Sequence, residues 1–98
     1  MNQHIRKIAE LDRVIHEPGR LMLVALLYAV EQCDFLYLQH ETEMNKGTLS
    51  SHLSRLEEAG YVEVVKTYRG KVPQTLLHLT DAGRKAFEEY RRKLKGAL

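Results

Sequence analysis

The pattern of apolar positions predicts two helices in the first third of the chain. Apolar residues recur near its start at three- and four-residue steps, the spacing of one helix face. These residues are Ile5, Ile8, Leu11 and Ile15. An uninterrupted apolar run follows at 21–30, and with Pro18 in its first turn it predicts a second helix from about Glu17 to Gln32. Because this run is about half as long as a membrane-spanning helix, we expect a buried core helix.

Two further helices are predicted from capping residues. Asp34 can cap a short third helix that ends near Glu43. Its apolar contacts would come from Leu36 and from either Leu38 or Tyr37. Asn45 is a good N-cap for a fourth helix over 46–59, whose core stripe has steps of four and three residues. That stripe consists of Leu49, Leu53 and Leu56.

A β-hairpin is predicted after the fourth helix. Gly60 can close that helix in the left-handed conformation, and 61–68 is rich in β-branched and aromatic residues. The sequence Arg69-Gly70-Lys71 provides a basic turn, and Leu77 and Leu79 alternate on the returning strand. Since proline cannot donate to a ladder, we expect Pro73 in the loop or on an unpaired edge, where it would delay regular pairing.

The last predicted element is a helix over about 81–96, capped by Thr80 or Asp81. Its apolar stripe consists of Phe87, Tyr90, Leu94 and Leu98. The order of elements is that of a helix-turn-helix (about 35–59) followed by a wing (about 61–80). We therefore predict one α+β winged helix-turn-helix domain over 1–98, in which the terminal helices mediate dimerisation.

Composition and charge narrow the choice of partner. The chain has 98 residues, 44% of them hydrophobic and 29% charged, which suits one globular domain. Residues 1–43 contain seven acids and four bases, whereas 44–98 contain eleven bases and six acids. A basic second half favours a polyanionic partner, although the same charges could belong to an ordinary solvated surface.

Several motifs in this order resemble those of the small winged-helix transcriptional regulators related to the MarR and ArsR groups. The polar segment from Leu49 ends in Leu-Glu-Glu-Ala-Gly-Tyr-Val at Val62, the basic hairpin follows, and Leu-Thr-x-x-Gly opens the last helix at Leu79. The resemblance covers most of the chain. It implies a homodimeric, sequence-specific repressor or activator that binds double-stranded DNA.

The candidate DNA-binding residues lie on the fourth helix and the hairpin. The outward face of the helix is small and polar, so it can enter a major groove, and a basic hairpin tip can contact a minor groove or phosphates. The alternative is that these residues are only solvated surface positions. The candidates are Lys46, Thr48, Ser51, Ser54 and Arg55 on the helix, and Lys66, Arg69 and Lys71 on the hairpin.

Two apolar stripes could form a dimer interface, because a chain this small has a limited core to cover both. The predicted interface residues are Ile5, Ile8, Leu11, Ile15, Phe87, Tyr90 and Leu94. Alternatively, both stripes pack within one subunit. A small-molecule effector at the dimer interface is a further hypothesis. The competing function is a winged-helix protein-interaction module, which would require an exposed apolar patch on the helix or wing that we expect to be missing.

Other chemistry finds little support in the sequence. The five histidines do not have the paired spacing of a metal site, and a single cysteine, Cys33, makes neither an internal disulfide nor a thiolate cluster. Cys33 is expected to be a small buried residue rather than a redox switch. No nucleophile motif or glycine-rich phosphate loop is present, so we expect neither an enzyme nor a cofactor. The start of the chain does not have the pattern of a secretory signal, and we expect a cytoplasmic location.

Overall fold

The computed structural model describes residues 2–98 as helices around a three-stranded antiparallel sheet, and it confirms the α+β winged helix-turn-helix architecture. The helices are α1 (Gln3–Arg6), which continues as a 3-10 turn (Lys7–Glu10), α2 (Pro18–Ala29), α3 (Phe35–Thr42), α4 (Lys46–Glu58) and α5 (Asp81–Ala97). The strands are β1 (Cys33–Asp34), β2 (Val62–Arg69) and β3 (Val72–Leu79). In the sheet, β3 lies between β1 and β2.

The predicted first helix does not reach Ile15. Helical structure ends at Glu10, and Leu11 is extended, with φ −65° and ψ 145°. The Asp12 carboxylate accepts hydrogen bonds from the backbone N–H groups of Val14 and Ile15, at 2.8 and 3.3 Å. This local turn offers the backbone an alternative to the helix, so the prediction of a continuous helix was wrong.

Helix α2 begins as predicted but is shorter and less buried. Pro18 occupies its first turn, as expected, and Glu17 is its N-cap, but the helix ends at Ala29. Leu23, Val24 and Leu27 are fully buried. The opposite face, formed by Met22, Ala25 and Ala29, is exposed, so the expected core helix is buried on one face only. Within residues 2–98, no helix is long and apolar enough to span a membrane.

Helices α3 and α4 form the helix-turn-helix, and both predicted caps are confirmed. Asp34 accepts a hydrogen bond from Tyr37 N–H, and Asn45 accepts one from Thr48 N–H, each at 2.8 Å. Leu38 is buried, but Leu36 is 70% exposed and Tyr37 is also exposed. The core contacts of α3 therefore come from Leu38 and from the half-buried Phe35. The predicted leucine stripe of α4 is buried. It consists of Leu49, Leu53 and Leu56.

The sheet contains a strand that the sequence did not indicate. β1 is two residues long and pairs with Leu76 and Leu77 of β3. In the predicted hairpin, Gly70 has φ +64° in the turn. Pro73 lies opposite Tyr68, where β1 does not reach and one side of β3 is an open edge, as expected. Pairing with β2 nevertheless begins at Val72, so the expected delay was wrong.

Helix α5 packs over the core, and several residues that were predicted to form a dimer interface are buried within the subunit. Thr80 caps it by accepting a hydrogen bond from Gly83 N–H at 3.0 Å. Four of the residues predicted for a dimer interface belong to the core of a single subunit. They are Leu11, Ile15, Phe87 and Tyr90, each exposed by less than a tenth. For these four, the alternative of packing within one subunit describes the structure.

Candidate nucleic-acid interface

The outward face of α4 carries the polar side chains that the sequence singled out. The three buried leucines fix one side of this helix against the core, which leaves the other side in solvent. Every candidate on the helix is exposed: Lys46, Thr48, Ser51, Ser54 and Arg55. Arg55 is 4.0 Å from Glu58 on the same face, and this exposed pair is weak enough for the guanidinium to change partners.

A groove of about 540 Å³ separates α4 from the wing. It brings together three of the predicted residues: Lys46 and Ser54 from α4, and Lys66 from β2. The other five candidates do not line this groove. Thr48, Ser51 and Arg55 lie around the helix from it, and Arg69 and Lys71 lie at the tip of the hairpin.

The groove also contains polar residues that the sequence analysis missed. Ser50 lies one turn before Ser54, and Thr75 is directly opposite Lys66 in the β2–β3 register. Both positions could have been found from the sequence, since residues four apart share a helix face and residues opposite one another share a sheet face. Gln74 lines the groove too, and its Nε2 donates to Asp34 Oδ2 at 3.4 Å.

The register of the hairpin assigns each wing residue to one of two faces. Lys66 and Tyr68, two residues apart, share a face with Thr75 and Pro73 opposite them. Arg69 lies on the other face, opposite Val72. Tyr68 and Val72 are 70% and 65% exposed, so the wing has more exposed apolar surface than expected. Because these two side chains are on opposite faces, they do not form one contiguous patch.

The positive charges of the interface are available to a ligand. Within the part of the chain that the structure describes, no ion pair involves Lys46, Lys66, Arg69 or Lys71. Asp34, also in the groove, is occupied, because its two oxygens accept from Tyr37 N–H and from Gln74. Glu57 also lines the groove, so the positive charge available to a polyanion comes from the two lysines of the groove together with Arg69 and Lys71 at the wing tip.

The cysteine and histidine side chains do not extend this site. Burial, together with the neighbouring charge of Asp34, raises the pKa of the half-buried Cys33 thiol to about 11. The thiol is therefore protonated at neutral pH, which disfavours its reaction as a nucleophile. Across residues 2–98, the histidine, cysteine and acidic side chains form no group of three or more that could hold a metal ion.

Comparison with protein families gives a match over most of the chain. A family model described as a winged helix DNA-binding domain matches residues 20–98. An uncharacterized protein of Methanocaldococcus jannaschii is 38% identical over 79 residues, which are 80% of this chain and 85% of that protein. The matched family consists of DNA-binding domains rather than enzymes, and the match includes α4 and the wing.

Comparison with solved structures identifies the same fold. A transcriptional regulator homologue from Pyrococcus horikoshii OT3 has a TM-score of 0.86 at 24% identity, covering 96% of this chain and 92% of that one. A MarR family transcriptional regulator from Silicibacter pomeroyi has a TM-score of 0.68 at 18% identity, covering 96% and 62%. The predicted similarity to MarR-type regulators is thus confirmed for the fold.

Proposed function

Because the chain belongs to the winged helix DNA-binding domain family, we propose that it regulates transcription as a homodimer that binds double-stranded DNA at specific sequences. The observation that carries this proposal is the groove in which Lys46 and Ser54 of α4 face Lys66 of the wing. One nucleic-acid duplex can contact both elements there, with α4 in the major groove and the wing beside it.

We assign the candidate residues to two kinds of contact. Ser51 and Arg55, on the exposed face of α4, would contact base edges, with Thr48 and Ser54 flanking them. The lysines of the groove and the basic wing tip would neutralise phosphates or enter a minor groove. The phosphate-binding set is Lys46, Lys66, Arg69 and Lys71.

The proposed dimer interface is smaller than the sequence predicted, because four of its seven residues are core residues. Ile5, Ile8 and Leu94 remain. Ile5 is 57% exposed, whereas Ile8 and Leu94 are half-buried and pack against the core. Helix α1 lies against the end of α5, where His4 Nδ1 is 3.3 Å from the Gly96 carbonyl oxygen. We therefore propose this end of the molecule as the two-fold interface, which would present two copies of α4 to two half-sites.

Two further proposals accompany the homodimer. A small-molecule effector bound at the interface would change the separation of the two α4 helices and so regulate DNA binding. We also propose a cytoplasmic location, where a bacterial or archaeal regulator of this type meets its DNA.

The direct test is to titrate random genomic fragments with the purified protein at two salt concentrations and to sequence the retained fragments. We expect salt-sensitive retention and an inverted repeat with half-sites about 10 base pairs apart. Salt-sensitive retention without an enriched motif would contradict sequence specificity. No retention at either salt concentration would favour the protein-interaction module instead.

A further inference from the structure

The contacts that hold α4 against the rest of the domain are mostly apolar. The three buried leucines of its inner face determine which side of α4 faces solvent, but burial of apolar surface is non-directional and leaves small rotations about the helix axis to other contacts. Among residues 2–98, one polar side-chain contact connects α4 to another element: His52 Nδ1 lies 3.2 Å from Glu17 Oε2 at the start of α2. This contact can therefore fix the rotation of α4 about its own axis.

The His52 ring is held closely from a second side by Gly19. A Cβ atom built on Gly19 would lie 2.5 Å from Nε2 of His52, closer than real Cβ atoms approach other atoms. The His52 side chain is only 20% exposed, whereas the adjacent Ser51 is exposed on the outward face of α4. The ring thus sits in contact with the first turn of α2, at the boundary between core and DNA-facing surface.

Two backbone hydrogen bonds and an ion pair hold the Glu17 carboxylate in place. Its carboxylate accepts hydrogen bonds from the N–H groups of Gly19, at 2.5 Å, and Arg20, at 3.2 Å. The Arg20 guanidinium is 3.4 Å from the same carboxylate and also donates to the Val14 carbonyl oxygen at 2.5 Å. Burial alone would raise the pKa of Glu17, but these hydrogen bonds and the charges of His52 and Arg20 outweigh it and lower the pKa.

We infer that Glu17 is a positioning residue for DNA recognition: through His52 it sets the rotation of α4 on α2, and hence the direction in which Ser51 and Arg55 face the DNA. This inference rests on the proposed function. A rotation of about 20° would move an atom about 6 Å from the helix axis by about 2 Å. Hydrogen bonds to base edges tolerate much smaller displacements, whereas contacts with a flexible lysine or with phosphates tolerate larger ones.

The test compares affinity for the selected DNA sequence with affinity for random DNA in four variants. Glu17→Gln keeps an acceptor for the α2 cap but removes the charge. His52→Ala removes the ring, and Gly19→Ala displaces it without changing any charge. His52→Gln restores a polar side chain of similar length. The matched control is Glu63→Gln, which breaks a similar pair with His78, 3.8 Å apart, on the wing.

We expect Glu17→Gln, His52→Ala and Gly19→Ala each to weaken binding to the selected sequence by about tenfold, with less than about a twofold change for random DNA. His52→Gln should keep most of the discrimination, and Glu63→Gln should leave it unchanged. Combining Glu17→Gln with His52→Ala should weaken binding no further, because the two residues act through one contact. Backbone amide NMR shifts should change along α4 in the first three variants.

A purely structural role would give a different result. Equal losses on selected and random DNA, together with a lowered melting temperature and no rescue by His52→Gln, would overturn the inference. Unchanged discrimination and unchanged α4 amide shifts in Glu17→Gln would also overturn it. If the unmodified protein shows no sequence preference, the proposed function fails, and the amide shifts then decide whether Glu17 sets the position of α4.

Discussion

The Tyr61 hydroxyl donates a hydrogen bond to Oδ2 of Asp12 and so joins the base of the wing to the loop before α2. The other oxygen of the same carboxylate accepts from the backbone of Val14 and Ile15. One aspartate therefore closes the turn that ends the N-terminal helical segment and also fixes the strand from which the wing extends. The two ends of this contact are 49 residues apart in the sequence.

The first prediction concerns the free energy of this contact. Tyr61→Phe should lower the free energy of unfolding by about 1–2 kcal/mol, because it removes a partly buried hydrogen bond to a charged acceptor. The measurement is equilibrium unfolding in urea. Tyr68→Phe is the matched control, because Tyr68 is largely exposed and its substitution should leave stability unchanged. Equal stability of both variants and the unmodified protein would mean that the contact contributes nothing.

The same contact predicts a loss of stability at alkaline pH. Burial, the hydrogen bond to Asp12 and the charge of Asp12 raise the pKa of Tyr61 from 10.0 to about 12. Because the folded-state pKa is raised, the contribution is fully present below pH 10 and declines as the pH rises towards 12. The difference in unfolding free energy between the unmodified protein and Tyr61→Phe should therefore shrink across this range. A constant difference up to pH 12 would contradict the assignment.

A third prediction concerns the close approach of α5 to Tyr61. A Cβ atom on Gly83 would overlap the carbonyl group of Tyr61, which is backbone that also accepts a hydrogen bond from Thr80 N–H. Gly83→Ala should therefore destabilise the fold by about 1–3 kcal/mol, despite the higher helix propensity of alanine. Gly96→Ala, in the same helix with no atom within 4 Å, should be neutral or stabilising by up to about 1 kcal/mol. A melting temperature of Gly83→Ala as high as that of Gly96→Ala would contradict the argument.

Local interactions explain which parts of the fold could be predicted from the sequence. The caps at Asp34, Asn45 and Thr80 each bond to a backbone group three residues away, so the sequence around them contains the necessary information. The two-residue strand β1 was missed because its pairing with β3 depends on residues more than 40 positions later. The end of the first helical segment was missed because the apolar spacing predicted a continuous helix. That spacing was given more weight than Asp12, a residue that favours turns.

The candidate site also has parts that could be predicted from the sequence and parts that could not. Exposure of the polar face of α4 was predictable from the leucine stripe, since three inward positions determine the outward ones. The groove was not, because it depends on the angle at which the wing packs beside α4. The contact between Glu17 and His52 was also unpredictable, since it joins the start of one helix to the side of another through tertiary packing.

A fourth prediction concerns the turn between α3 and α4. Glu43 has φ +57°, a left-handed conformation that costs a residue with a Cβ atom about 1 kcal/mol. Glu43→Gly should therefore stabilise the protein by about 0.5–1 kcal/mol, or leave it unchanged if the flexibility of the unfolded chain offsets the gain. The control is Glu41→Gly inside α3, which should cost about 1 kcal/mol. Thermal unfolding of both variants distinguishes them, and destabilisation by Glu43→Gly would contradict the argument.

The last prediction separates base contacts from phosphate contacts. Arg55→Ala should weaken binding to the selected sequence by about 1–3 kcal/mol while affecting random DNA little, because its proposed partner is a base edge. Replacing Arg69 and Lys71 together with alanine should weaken binding to all sequences. It should also reduce the slope of log affinity against log salt concentration by about one unit for each phosphate that the variant no longer neutralises.

Both halves of this prediction can be measured by fluorescence anisotropy on the two DNAs over a series of salt concentrations. Arg13→Ala combined with Lys85→Ala is the control, since it removes the same charge from two exposed positions outside α4, the wing and the proposed dimer interface. If this control lowers affinity and salt dependence as much as the wing variant does, the effect is one of net charge rather than of direct phosphate binding. Equal losses on both DNAs for Arg55→Ala would rule out a base-reading role and would place this arginine with the phosphate-binding residues.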